Sequence, residues 1–198
     1  MSEIRTCHTP GIPDGEFLRG TVPMTKEEVR ALTVCRARLA PGLTVWDVGA
    51  GTGSLTVEAA LFTPGGHVYA VERNLEGIVL IEENCRRFGV GNVTVLQGEA
   101  PGALMTLPAP DRVFIGGSGG RLKDILAVCA ENMAAGGMVI VNAITPSTMA
   151  AALEILASPP FSGLEGIHVQ VSRLEALGKE RYFKAQNGIW ILSAQKDV

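Results

Sequence analysis

The chain has few aromatic residues and no strong excess of charge of either sign. Aromatic side chains make up 5% of its 198 residues, and the formal net charge is −3 at pH 7. A protein that binds nucleic acid usually presents a basic face on which aromatic side chains are interleaved. The composition therefore argues against a nucleic-acid partner, although it leaves room for a local basic pocket.

Clustered metal ligands and paired cysteines are also absent from the sequence. The four cysteines lie far apart, no Cys-x-x-Cys pair is present, and the three histidines are isolated. We therefore predict no metal site. Cys35, Cys85 and Cys129 fall on the apolar faces of predicted helices, which favours core thiols in a reducing compartment.

Long uninterrupted hydrophobic runs are missing as well, and the first residues show no targeting segment. The longest uncharged stretch, residues 132–153, has the length of a membrane span but is broken by Gly136-Gly137 and Thr145-Pro146. We read it as a turn, a buried strand and a helix. These features predict a cytoplasmic protein without membrane contact.

The length predicts a single domain over residues 1–198. Residues 1–24 are interpreted as a segment that covers this domain, because Pro10 to Pro23 is rich in proline and glycine yet carries Ile12 and Phe17. A covering helix follows, with Thr25 as the N-cap and Glu28 at the capping-box position. Its predicted buried stripe is Val29, Leu32, Cys35 or Arg36, and Leu39.

The most informative stretch is a short apolar strand that ends in glycines. Leu43 to Val48 reads as a buried strand, Gly49, Gly51 and Gly53 follow at every second position, and a helix begins near Leu55. This geometry lets a ligand approach the backbone and points free helix N–H groups at it. A tight turn without a ligand is the alternative interpretation.

Glu72 ends the second predicted strand, about 20 residues beyond the glycines, where a carboxylate can accept hydrogen bonds from a ribose. Together with Asp47 and the Gly-x-Gly-x-Gly spacing, this resembles motif I of the class I S-adenosylmethionine-dependent methyltransferases. A nicotinamide-dependent enzyme is the main competing interpretation.

Strand–helix units continue along the chain, with further strands predicted at 92–97, 112–115 and 138–141. Such a succession implies a parallel sheet with right-handed crossovers. Two β-rich runs, 166–174 and 188–194, then indicate an antiparallel pair. The predicted fold is α/β and Rossmann-like, with a mostly parallel seven-stranded sheet finished by this C-terminal pair.

Ligands of open α/β sheets bind beyond the carboxyl ends of the strands. Besides the glycine turn and Glu72, two such ends carry unusual residues. One is Gly98 to Pro101, where the small Ala100 would let an adenine ring lie flat. The other is Gly116 to Gly120, with four glycines around Ser118. We predict that the loop from Gly116 to Gly120 forms part of a binding site.

Several motifs together resemble one family, the decarboxylating precorrin methyltransferases of cobalamin biosynthesis, including the C-terminal half of the fused aerobic-pathway enzyme. They are Gly11 to Asp14, Met24 to Arg30, Asp47 to Ser54, Gly98 to Pro101, Phe114 to Gly120, and Gly136-Gly137 through Val141 to Ala143. The resemblance implies methylation of carbon 15 and decarboxylation of the ring-C acetate of cobalt-precorrin-6B or precorrin-6B. It also implies a homotetramer and a separate protein for methylation at carbon 5.

The family resemblance also implies which residues contact S-adenosylmethionine, the methyl donor. The expected cofactor residues are Thr25, Asp47, Gly49, Ala50, Gly51, Thr52, Gly53, Glu72 and Ala100.

For the acidic tetrapyrrole we expect contacts from Gly116, Gly117, Gly119, Arg121, Arg173 and Arg181. The reaction requires mainly the orientation of the reactants, so no catalytic base stands out. Ser118 and Asn142, both at strand ends beside the glycine loop, are the candidate catalytic residues. The alternatives are a class I methyltransferase acting on tRNA or protein, and a binding module that retains the cofactor pocket without turnover.

Overall fold

The computed structural model describes residues 9–197, and a seven-stranded sheet is its centre. The strand order is β3-β2-β1-β4-β5-β9-β6. Strands β1 to β5 are parallel, whereas β9 runs antiparallel to both β5 and β6. The predicted fold is confirmed. The strands of the sheet are β1 (Thr44–Val48), β2 (His67–Glu72), β3 (Val93–Gln97), β4 (Arg112–Ile115), β5 (Met138–Ala143), β6 (Phe161–Val169) and β9 (Ile189–Lys196).

Five helices pack on the two faces of this sheet. They are α1 (Glu27–Ala37), α2 (Ser54–Phe62), α3 (Leu75–Phe88), α4 (Leu122–Asn132) and α5 (Pro146–Leu156). One core lies on the α4/α5 face and includes Val48, Val141 and Leu192 of the sheet together with residues of both helices. A second core lies on the α1/α2 face and includes Phe114 and Ile191. None of the helices within residues 9–197 combines the length and the apolar character that a membrane crossing requires.

The end of the chain differs from the prediction of one strand over residues 166–174. Strand β6 already starts at Phe161 and ends at Val169, and the chain then leaves the sheet as a separate hairpin. The C-terminal hairpin consists of β7 (Ser172–Leu177) and β8 (Glu180–Ala185). Gly178 has a φ of +62°, and glycine at the first position of a short turn favours a hairpin. Alternating hydropathy cannot show where one strand ends and a collinear one begins.

The predicted buried stripe of α1 is right at Val29 and wrong at Leu32 and Cys35, and the predicted cap is wrong. The helix buries Val29, Arg30, Thr33, Val34 and Ala37, so its inward face is rotated from the predicted stripe. Leu32 is 39% exposed and Cys35 is also exposed. The reason is that Arg30, not an apolar residue, occupies the centre of the inward face.

Lys26, not Thr25, is the N-cap residue of α1, and its side chain makes no capping hydrogen bond. Instead, the Glu27 N–H donates to Asp14 Oδ1 at 2.9 Å. A carboxylate from an earlier segment thus replaces the capping box that we predicted between Thr25 and Glu28. The local sequence pattern cannot predict this cap, because the acceptor comes from outside the helix.

Two of the three cysteines in the described residues are core thiols, as predicted. Burial raises the pKa of Cys85 to about 11 and that of Cys129 to about 12, so both stay protonated at neutral pH. Cys7 and His8 lie outside the described residues.

Residues 10–25, which we call the N-terminal strap, are fastened to the domain by a buried arginine. Arg30 is fully buried; its Nε donates to Glu58 Oε1 at 2.6 Å, and its Nη1 donates to Asp14 Oδ1 at 3.2 Å. The Glu58 carboxylate also accepts from the N–H groups of Gly11 and Ile12, each at 3.0 Å. The strap therefore covers the domain through a closed set of charge-assisted bonds.

Candidate cofactor and substrate site

A cleft of about 270 Å³ opens at the carboxyl edge of the sheet. The ends of β1, β2, β3 and β4 line it with Gly49 and Gly51, Glu72 to Asn74, Gly98 to Ala100, and Gly116 to Gly119. Val22 and Pro23 of the N-terminal strap complete the wall. The structure thus brings together the four strand ends that the sequence singled out, in the position where open α/β sheets bind ligands.

The glycines of the first turn are required by the protein's own backbone. A Cβ at Gly49 would lie 2.5 Å from the carbonyl oxygen of Gly117, and a Cβ at Gly51 would lie 2.6 Å from that of Pro23. Both residues also have positive φ, +74° and +58°. The sequence interpretation explained these glycines by ligand approach, with a tight turn without a ligand as the alternative. In the structure they also let the strap and the loop after β4 close on the turn.

Glu72 is held in place by backbone donors at the mouth of the glycine turn. Its Oε2 accepts from the Gly51 N–H and its Oε1 from the Asn74 N–H, both at 2.9 Å. A carboxylate oxygen has two lone-pair sites, so each oxygen can accept a further hydrogen bond from a ligand. The side chain is thereby pre-oriented toward the cleft that it lines.

Sequence reasoning missed Gly77, which leaves space for the Glu72 side chain. A Cβ at Gly77 would lie 2.7 Å from Glu72 Cγ and 3.0 Å from the carbonyl oxygen of Gly51. Its position inside a predicted helix could have identified it. Glycine there costs about 1 kcal/mol of helix stability relative to alanine, which indicates that close packing requires it.

Asp47 lies beneath the turn and does not line the cleft. Its side chain is buried, and its Oδ2 accepts from the Thr56 hydroxyl at 2.6 Å. Burial raises the pKa of Asp47 to about 6, and the neighbouring charge of Glu72 adds to the rise. The role open to Asp47 is therefore support of the turn through α2.

The remaining predicted cofactor residues, Thr25, Ala50, Thr52 and Gly53, also lie outside the cleft lining. The Thr25 carbonyl accepts from Arg30 Nη1 at 2.6 Å, and the Thr52 hydroxyl is buried without a hydrogen-bond partner within residues 9–197. Ala100, in contrast, does form part of the cleft wall.

The loop after β4 is tied to β1 by its backbone. The N–H groups of Gly116 and Gly117 both donate to the carbonyl oxygen of Val48, at 3.0 Å and 3.3 Å. Ser118 follows in the cleft wall, and Arg121 stands at the start of α4, where its guanidinium pairs with Asp124 at 3.1 Å. The loop therefore places Ser118 in the cleft wall.

Asn142 and Arg173 are turned away from the cleft. Asn142 Oδ1 accepts from the Thr33 hydroxyl at 3.1 Å, on the α1/α2 face of the sheet. Arg173 Nη2 pairs with Glu28 at 2.7 Å and with Asp14 at 3.1 Å. Arg181 is exposed on β8, in the C-terminal hairpin. The predicted catalytic and substrate residues are thus divided between the cleft and two other places.

Comparison with known proteins decides the family. A family model described as a precorrin methyltransferase domain matches residues 17–196, which include the sheet, the cleft and the hairpin. The chain belongs to the precorrin methyltransferase family. It is an enzyme family, so the protein is a methyltransferase.

Individual relatives agree over nearly the whole chain. The cobalt-precorrin-6B C(15)-methyltransferase (decarboxylating) of Salmonella typhimurium strain LT2 is 40% identical over 186 residues, which are 93% of this chain and 95% of that protein. The crystal structure of a precorrin-6y C5,15-methyltransferase from Geobacter metallireducens superposes with a TM-score of 0.88 at 38% identity, covering 94% of this chain and 98% of that one.

More distant methyltransferases share only the fold. An S-adenosylmethionine-dependent O-methyltransferase from Thermotoga maritima gives a TM-score of 0.75 at 17% identity, covering 88% of this chain and 67% of that one. These neighbours confirm the class I methyltransferase fold that the glycine motif predicted. The alternative activities on tRNA or protein are not favoured, because the close relatives are precorrin enzymes.

Proposed function

We propose that this precorrin methyltransferase uses S-adenosylmethionine to methylate carbon 15 of cobalt-precorrin-6B or precorrin-6B and decarboxylates the ring-C acetate in cobalamin biosynthesis. The single observation that carries the proposal is the cleft at the ends of β1 to β4, with Glu72 held toward it, in a chain of this family. The names of the close relatives support the choice of substrate.

The residues present suit the cofactor. Glu72 offers carboxylate oxygens for the two hydroxyls of a ribose, and its bonds to Gly51 and Asn74 hold it without a ligand. Val48 and Val71 give the cleft an apolar wall, and Gly98 and Ala100 leave room for a flat base. When bound, S-adenosylmethionine supplies a methyl group already activated by its sulfonium.

The chain's own residues orient the acceptor and exclude water. An electron-rich, enamine-like carbon attacks the methyl group without a strong base, so alignment is the main requirement. Loss of carbon dioxide leaves electrons that the tetrapyrrole's own imine can accept. Ser118 is the candidate that we retain for proton transfer, because its residue lines the cleft whereas Asn142 bonds to Thr33 on the other face of the sheet.

Two arginines on different elements suit the substrate's carboxylates. Arg121 stands at the start of α4, and Arg181 lies on β8 of the hairpin that joins β6 to β9. We propose that these two contact the tetrapyrrole rim. Arg173 is a weaker candidate than Arg121, because it pairs with two carboxylates, one of them the buried Asp14, whereas Arg121 pairs with the exposed Asp124.

The C-terminal hairpin also suits self-association. Leu174, Leu177 and Phe183 are 51%, 67% and 71% exposed, which is unusual for large apolar side chains on one small unit. We propose that the protein assembles as a homotetramer through contacts that cover them, in closed symmetry. A cytoplasmic location and a separate carbon-5 methyltransferase as pathway neighbour complete the proposal.

The proposal is tested by calorimetry and turnover. Wild-type protein should bind S-adenosylmethionine and its demethylated product but not nicotinamide nucleotides, and should convert cobalt-precorrin-6B or precorrin-6B with release of carbon dioxide. Glu72→Ala should weaken cofactor binding by about 1.5–3 kcal/mol, the range for a hydrogen bond to a charged group. Glu82→Ala, an exposed change on α3, serves as the control.

Two results would contradict the proposal in different ways. Unchanged cofactor affinity in Glu72→Ala would remove Glu72 from the site. Tight cofactor binding without methyl transfer to either tetrapyrrole would favour the binding module without turnover.

A further inference from the structure

Two stacked rings lie at the carboxyl edge of the sheet, beside the cleft and outside its lining. The imidazole of His168 and the indole of Trp190 are 4.7 Å apart between centroids, with an interplanar angle of 19°. Trp190 stands opposite Ala143 at the end of β5 and opposite His168 near the end of β6. We call this pair the aromatic platform.

The platform lies on the same face of the sheet as the apolar wall of the cleft. Val48, Val71 and Ala100, which line the cleft, belong to the core on the α4/α5 face, and so does Leu192 of β9. Side chains alternate along a strand, so Trp190 shares the face of Leu192. Ile191 between them packs into the opposite core.

The separation between platform and cleft suits one large ligand. Strand β4, which carries the Ser118 loop, is followed in the sheet by β5 and then by β9. Two strand spacings amount to about 10 Å, the scale of a tetrapyrrole ring system. A macrocycle with its reacting carbon at the cleft would therefore reach over the end of β5 to Trp190.

The platform packs against Gly188, just before β9. A Cβ at Gly188 would lie 2.3 Å from His168 Nε2 and 3.0 Å from Gln170 Oε1, so glycine makes room for both side chains. Gln170 Nε2 in turn donates to the carbonyl oxygen of Gln186 at 2.7 Å. His168 is nevertheless exposed and Trp190 half-buried, which leaves the platform accessible.

The hairpin that connects the two strands of the platform carries cations that suit an acidic ligand. Lys184 lies near its base, opposite Arg173, whereas Arg181 and Lys179 lie toward its tip. Lys184 pairs with Glu175 at 3.3 Å, whereas within residues 9–197 neither Lys179 nor Arg181 has an ion-pair partner. A flat ring with a carboxylate rim matches this combination of an aromatic surface and free cations.

We propose that His168 and Trp190 form a stacking surface for the substrate's macrocycle, on the part of the ring remote from the methyl donor. This inference rests on the proposed function and deepens it by naming two residues that determine tetrapyrrole binding. Neither side chain takes part in methyl transfer, so both are specificity-determining residues.

The decisive experiment is steady-state kinetics of the full chain with cobalt-precorrin-6B as the varied substrate. Trp190→Ala should raise KM for the tetrapyrrole about tenfold, as expected for the loss of one stacked aromatic ring. Trp190→Phe should restore KM to within about threefold, since a phenyl ring still stacks. For both variants kcat and the Kd of S-adenosylmethionine should stay within about twofold of wild type, because neither ring touches the reacting atoms.

His168→Ala should raise KM about threefold, and this exposed position keeps the test informative if Trp190→Ala does not fold. Gln195→Ala, exposed on β9 at the other edge of the sheet, is the matched control. A wild-type KM in Trp190→Ala and His168→Ala, with active wild-type enzyme, would overturn the platform and leave the proposed function standing. Wild-type protein that methylates no tetrapyrrole would overturn both.

Fluorescence gives a second readout that does not depend on turnover. The chain has two tryptophans, and Trp46 is fully buried, so quenching by acrylamide reports chiefly on Trp190. When tetrapyrrole is bound, the acrylamide quenching constant of the tryptophan fluorescence, obtained from fluorescence lifetimes, should fall at least twofold. S-adenosylmethionine alone should leave this constant unchanged. An unprotected Trp190 at saturating tetrapyrrole would count against the platform.

Discussion

The N-terminal strap and the C-terminal hairpin differ in regularity and in attachment, and the two properties do not go together. The strap is largely irregular, yet its residues Ile12, Asp14 and Phe17 are buried. The hairpin forms regular paired strands, yet all six residues of β8 are exposed. Regular backbone structure therefore says little about how firmly a segment belongs to the domain; buried contacts decide that.

The attachment of each segment explains the difference. The strap is joined to Arg30 and Glu58, whose side chains are both fully buried, and the Arg30 guanidinium also lies 4.6 Å from the centre of the Phe17 ring. The hairpin is joined to the rest mainly through Arg173, whose side chain is 35% exposed. Low dielectric strengthens the first set of bonds, whereas water screens the second.

Glu58→Ala should have the largest effect, because it removes the closer of the two carboxylates that pair with the buried Arg30 and leaves two strap N–H groups without an acceptor. Breaking a buried ion pair in this way costs about 3–5 kcal/mol. Urea denaturation of the variant should show this loss, while Glu154→Ala on the exposed surface of α5 should change the free energy of unfolding by less than about 0.5 kcal/mol. A loss below about 1 kcal/mol for Glu58→Ala would mean that the strap is not fastened as described.

Arg173→Ala should have a smaller effect of about 1 kcal/mol, because its pair with Glu28 is partly solvated. Arg181→Ala is the matched control on the same hairpin and should leave the free energy of unfolding unchanged. A loss as large as that of Glu58→Ala would erase the contrast between strap and hairpin.

The pH dependence of this difference follows from Glu28. The hydrogen bond from Arg173 lowers the pKa of Glu28 below its ordinary value. A lowered pKa stabilises the native state above the unfolded carboxyl pKa of about 4.5, and that contribution is lost as the pH falls through the lowered value. The stability difference between wild type and Arg173→Ala should therefore be full at pH 7 and shrink in acid.

Phe183→Ser should have the smallest effect on the fold of one chain. The side chain is 71% exposed, so its loss should change the free energy of unfolding of the isolated chain by less than about 0.5 kcal/mol. Light scattering should instead show a smaller assembly than the proposed tetramer, with Ser172→Ala, at the start of β7, as the control. Wild-type protein that is monomeric at micromolar concentration would contradict the association itself.

The central sheet and the four strand ends of the cleft could be predicted because their signals are local. An apolar run followed by glycines marks β1 and its turn, and an acidic residue after the next apolar run marks Glu72. In a parallel sheet the carboxyl ends of the strands share one edge, so connectivity alone placed these residues together. Gly49, Glu72, Ala100 and Ser118 accordingly all line one cleft.

The side-chain orientations that were predicted wrongly depend on partners that are distant in the sequence. Arg30 is turned inward because Glu58 and Ile12 meet it there, 28 and 18 residues away. Asn142 is turned from the cleft by Thr33, at a separation of 109 residues. A pattern of polar and apolar residues contains no information about such pairs.

By itself, then, the sequence determined the order of strands and helices up to α5 and the edge of the sheet that carries the cleft, since both follow from local periodicity and chain connectivity. Only the tertiary structure decided which side chains reach that edge. It gave Arg173 carboxylate partners away from the cleft, put Asp47 beneath the turn, and stacked His168 on Trp190 across two strands. The physical reason is that a side chain's surroundings are set by the segments packed against it, and these are chosen by the whole fold.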